Sequence, residues 1–99
     1  MSAKIIHYQP EYASAFYNLN IEWLKTFFYV EAYDEAVLSQ PETYIVNKGG
    51  HIFFAKQGKT ILGTVALMPT ENPKLFELTK MAVSPASRGL RAAINAILH

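Results

Sequence analysis

Phe76-Glu77-Leu78-Thr79-Lys80-Met81-Ala82-Val83-Ser84-Pro85-Ala86-Ser87-Arg88-Gly89 is the stretch on which the reading of this chain turns. An apolar strand over 75–83 runs into a turn containing Pro85. Arg88-Gly89 then opens a helical pattern in which Leu90, Ile94, Ile97 and Leu98 recur at helical spacing. That order sets a row of free backbone N–H groups at a helix N-terminus beside a strand end, an arrangement suited to a phosphate-rich anion.

Working outward, residues 51–56 form a strand, Gln57-Gly58 a tight turn and residues 59–68 a second strand, which together make a hairpin. A polar loop over 69–73 joins it to the strand above. Further back, Asn47-Lys48-Gly49-Gly50 is a turn cluster. Pro41 suits the first turn of a short helix ending near Val46, and Asp34 is placed to cap another that runs through Leu38. Tyr12, Ala15, Phe16, Leu19, Trp23 and Phe27 make a helical apolar stripe, and Asn18 and Asn20 in its middle predict a break into two helices. Residues 4–8 read as a strand stopped by Pro10. The order is strand, two helices and a short helical segment, three antiparallel strands, then a helix. It predicts an α/β (α+β) domain with a mixed, largely antiparallel sheet and flanking helices.

Composition narrows the function classes. Ninety-nine residues make one domain at most, and 51% hydrophobic residues suffice for a core. Nine basic and eight acidic residues are spread along the chain, so the electrostatic footprint of a nucleic-acid binder is missing. The absence of cysteine removes disulfides, thiolate catalysis and cysteine-based zinc sites. His7, His51 and His99 lack the close spacing of a local metal motif. No apolar run approaches the ~20 residues of a membrane span, and Lys4 and His7 interrupt the early apolar residues where a signal peptide would need them. The expectation is a cytoplasmic protein with no metal, no nucleic-acid partner and no membrane partner.

The segment from Glu77 to Pro85 with Arg88-Gly89 resembles the GNAT superfamily of acetyl-CoA-dependent N-acetyltransferases, and the match covers essentially the whole chain as the N-terminal part of that fold. Family members carry a strand ending in an apolar-x-Val-x-Pro stretch, then an Arg/Gln-x-x-Gly-x-Gly/Ala loop that holds the coenzyme A pyrophosphate. Arg88 matches the first loop position and Ala93 the last. Arg91 stands where the family has glycine, and a long side chain there crowds the closest approach to the anion. The resemblance further implies a strand, a helix and a closing pair of strands beyond His99. The expectation is therefore residues 1–99 as a single partial domain, truncated at its C-terminus, with weak or no catalysis by this chain alone.

What the resemblance implies for sites follows residue by residue. Acetyl-CoA is the cosubstrate, held by Met81, Ala82 and Val83 through their backbone and by Arg88, Gly89, Leu90, Arg91, Ala92 and Ala93 in the loop. Glu77 is the general base that deprotonates an amine acceptor, since an ammonium has no lone pair with which to attack a thioester. Period two places Glu77 on one face with Thr79, Met81 and Val83. The plainer reading of Glu77 is a strand carboxylate that is solvated or paired with a cross-strand lysine. Phe28, Tyr29 and Tyr33, with Phe27, Glu31 and Asp34 nearby, fall where the family lines its acceptor groove, and His51 is a further candidate for that groove. Aromatics at helical spacing are more commonly core, and core is the preferred reading for them. Strand 75–83 also offers an apolar edge to a second chain, which makes a non-catalytic homodimer the alternative to an enzyme.

Overall fold

The computed structural model describes residues 3–85. Strand β1 (Lys4–His7) is followed by a 3-10 turn and the long helix α1 (Ala13–Phe27), then α2 (Ala32–Ser39) and the single-turn α3 (Pro41–Tyr44). A second 3-10 turn leads into β2 (His51–Gln57), β3 (Thr60–Pro69) and β4 (Phe76–Val83). The four strands form one sheet in the order β1-β2-β3-β4, antiparallel at every step. The expected helix over the last residues lies outside the described part of the chain.

One face of the sheet carries the helices. Phe16 and Ile21 from α1, Val37 and Leu38 from α2, and Ile45 pack on Ile52, Phe54 and Ala66 of β2 and β3. Trp23 of α1 packs with Ala82 and Val83 at the end of β4, flanked by Leu19 and Met81. Phe16, Leu38, Phe54 and Val83 are fully buried, and each contributes on the order of 1.5–3 kcal/mol of apolar transfer free energy.

The helical segment departs from expectation at two places. The break expected at Asn18 and Asn20 is absent, and α1 is continuous. Asn20 is buried and its Nδ2 donates to the Phe16 carbonyl one turn back at 2.9 Å. Its amide is thereby satisfied inside the helix, and the neighbouring apolar stripe outweighs its weak helical preference. Asp34 does not occupy the cap position of α2. The cap is Glu31, and Asp34, at the third helical position, accepts the Glu31 N–H on Oδ2 at 3.1 Å. This is the reciprocal half of a capping box, moved three residues from the expected place.

The hairpins follow expectation closely. Gly58 turns β2 into β3 at φ +60°, and Gly49 closes the helical segment at φ +88°, the left-handed region that favours glycine.

Candidate functional site on strand β4

The feature that governs the site is a bulge. Ala66 pairs with Lys80, but its neighbour Leu67 pairs with Leu78, so Thr79 is an extra residue on β4. Partners across an antiparallel ladder share a face. Met68 with Glu77, Ala66 with Lys80 and Thr64 with Ala82 therefore lie on the helix-covered face. Leu67 with Leu78, Val65 with Met81 and Gly63 with Val83 lie on the opposite one. The expectation that Glu77 shares a face with Met81 and Val83 is thus corrected. The extra residue breaks period two, and Glu77 instead shares its face with Lys80 and Ala82.

Lys80 confirms the assignment by its partner. Its Nζ lies 3.0 Å from Asp34 Oδ1 on α2, with both side chains only 18% exposed. Burial alone would raise the Asp34 carboxyl. The Glu31 N–H, the Lys80 hydrogen bond and the Lys80 charge together outweigh it and hold the group below its ordinary value. Glu77 is exposed, and its carboxylate makes no hydrogen bond or ion pair to the side chain of another described residue.

The connection from α1 to α2 lies beside this face of β4, since Trp23 touches the end of the strand and Asp34 touches Lys80. Phe28 and Tyr29 project from it, and Tyr33 from the first turn of α2, at 67, 73 and 68% exposure, which overturns the core reading for these aromatics. Helical spacing ends at Phe27, so Phe28 and Tyr29 fall in a connection instead of on the apolar stripe of α1. His51 departs from its expected place. Its pairing with Leu67 sets it on the far face, where its ring lies 5.4 Å from Phe76 and 6.2 Å from Phe53, away from Glu77.

β4 is also an edge strand among the described residues. The Ser84 N–H donates to Leu62 at 2.9 Å. The alternation of an antiparallel ladder then ties the amide and carbonyl of Ala82 to β3 and directs those of Met81 and Val83 to the open edge. Two residues of the expected backbone trio thus turn hydrogen-bonding groups to an edge that no other described strand pairs, while Ala82 contributes a buried methyl. Arg88, Gly89, Leu90, Arg91, Ala92 and Ala93 lie outside the described residues. Lys80 went unnoticed in the sequence, because its partner Asp34 lies 46 residues away along the chain and only the fold brings the two together. Among the described residues, no group of three or more potential ligands converges on a metal position, and no helix is long and apolar enough to cross a membrane.

Comparison with known proteins bears on the fold as a whole. A GNAT-family acetyltransferase from Staphylococcus aureus Mu50 superposes with a TM-score of 0.74 at 26% identity, over 91% of this chain and 57% of that one. An acetyltransferase from Streptococcus agalactiae 2603 superposes at 0.66 and 22% identity, over 90% of this chain and 56% of that one, a likeness of fold. This chain thus spans a little over half the length of these relatives. No protein of curated function matches the sequence. The acetyltransferase (GNAT) family profile matches residues 14–98, and the chain belongs to that family.

Proposed function

We propose that this chain takes part in the transfer of an acetyl group from acetyl-CoA to an amine by direct attack. The observation that carries the reading is the division of labour along β4. At one end Glu77 offers an exposed carboxylate on the helix-covered face, and at the other Met81 and Val83 turn backbone groups to an edge that no other described strand pairs.

The chemistry follows from these positions. Glu77 takes a proton from the acceptor ammonium, directly or through a water, and frees the nitrogen lone pair. That pair attacks the thioester carbonyl carbon, the C–N bond forms, the C–S bond breaks, and its electron pair leaves on the coenzyme A sulfur. The proton lost by the attacking nitrogen passes through solvent to that thiolate, giving an amide and a free thiol. The edge amides of Met81 and Val83 suit a pantetheine arm, whose own amide groups pair with a strand edge as another strand would. Holding both reactants beside one strand supplies the proximity that direct transfer needs.

The test is thiol release from acetyl-CoA with a panel of amines, on the chain and on Glu77→Gln. Turnover that falls at least ten-fold in the variant supports the assignment, a loss in the direction expected of general-base removal. Turnover unaffected by the variant removes Glu77 as the base. Absence of acetyl-CoA binding at millimolar concentration in calorimetry removes the reading for this chain.

The open edge favours a second reading, a non-catalytic homodimer. Leu75, Phe76 and Leu78 are exposed at the start of β4, and an unpaired apolar edge is a template for a second chain. Light scattering separates the two, since a dimer that releases no thiol supports this reading and a catalytically active monomer refutes it.

A further inference from the structure

We infer that Lys80 is a positioning residue for the acceptor side of the site, acting through Asp34 to fix the aromatic connection between α1 and α2. The inference rests on the acetyl-transfer reading only for its effect on substrate, since the latch itself is visible in the contacts.

The two oxygens of Asp34 do different jobs. Oδ2 receives the Glu31 N–H at 3.1 Å and holds the first turn of α2, while Oδ1 receives Lys80 of β4 at 3.0 Å. One carboxylate thus joins the start of a helix to a strand that is distant in sequence. At its other end the connection is held by the Phe28 N–H, which donates to the Leu24 carbonyl at 2.7 Å. Tyr29 and Val30 are what remains between the two anchors. Val30 tucks against the core, whereas Tyr29, with Phe28 beside it, projects into solvent.

Removing Lys80 leaves Asp34 largely buried without its counter-charge, a change costlier than losing an exposed pair. The aromatic connection then loses its tie to β4, the strand that also carries Glu77. Rings that border an acceptor would no longer be fixed relative to the base.

Limited chymotrypsin digestion of the full chain reads the latch, because the enzyme cuts after exposed Phe and Tyr in segments that open locally. Lys80→Met should be cut after Phe28 and Tyr29 about ten-fold faster than the unaltered chain, with hydrogen exchange in the β2–β3 hairpin unchanged. Lys80→Arg should restore the slow rate. Asp34→Asn, which keeps an acceptor for the Glu31 N–H but loses the charge, serves where Lys80→Met does not fold, and should likewise speed cleavage. In thiol-release assays the Lys80 variant should raise KM for the amine several-fold and leave KM for acetyl-CoA unmoved.

Cleavage that stays slow in both variants overturns the latch. Faster cleavage with both KM values unmoved, or both raised alike, overturns the positioning role. An unaltered chain that releases no thiol with any amine refutes the acetyl-transfer reading and the acceptor role with it, and the digestion still decides the latch.

Discussion

Gly50 stands so close to Ile45 that a Cβ built on it would lie 2.8 Å from the Ile45 carbonyl oxygen and 2.8 Å from its Cγ2. The Gly50 N–H donates to that same carbonyl at 2.8 Å, so the loop entering β2 is drawn tightly against the end of the helical layer. Gly50→Ala should therefore lower stability by roughly 1–3 kcal/mol through overpacking. Gly58→Ala has open space around it and should cost only about 1–2 kcal/mol, for its left-handed backbone. Urea unfolding of both variants checks the comparison; equal transition midpoints near that of the unaltered chain would contradict it.

Phe16 is the fully buried anchor of α1 on the sheet. Phe16→Ala should cost about 3–5 kcal/mol, a large part of the total stability of so small a domain. Loss of a cooperative thermal transition by circular dichroism is the expected result.

The Asp34 carboxyl, held below the usual aspartate value of 3.8, makes stability fall in acid. Its contribution is complete above that value, where the unfolded carboxyl is already ionised. It disappears as pH drops through the lower folded value. The stability difference between the unaltered chain and Asp34→Asn should thus shrink when denaturation is repeated at about pH 3 instead of about pH 6. A constant difference would show that the charge of Asp34 plays no part.

Tyr8 is pushed up to about 12, by burial first, then by its hydrogen bond to Glu42 at 3.1 Å and the charge of that carboxylate. The folded state keeps this proton where the unfolded chain releases it. The resulting stabilisation is whole below pH 10 and is lost as pH rises toward 12. Phenolate absorbance should show a late step whose amplitude falls in Tyr8→Phe.

How far the sequence disclosed this molecule differs between its two halves. The β2–β3 hairpin was legible because Gln57-Gly58 separates two apolar runs, and Gly58 supplies the residue that a left-handed turn position favours. The continuity of α1 was not legible, since whether Asn20 breaks or joins a helix depends on the burial that only the folded sheet provides. The face of Glu77 was hidden for a different reason. Nothing in Leu78-Thr79-Lys80 marks Thr79 as the extra residue, for a bulge is decided by pairing with β3. The exposure of Phe28, Tyr29 and Tyr33 was likewise beyond local pattern, as apolar character does not say whether another layer lies above.

The order of the sheet divides the way the chain assembles. β2, β3 and β4 are joined by short links, so their ladders zip over small loops with little loss of chain freedom. β1 meets β2 only after the entire helical segment has been enclosed between them, as in the pairing of His7 with Phe53. In pulsed hydrogen exchange during refolding, amides of the three-strand meander are expected to gain protection before those of β1. The N-terminal strand would then act as a clasp that shuts last, and a cut near Pro10 would release it while leaving the meander zipped.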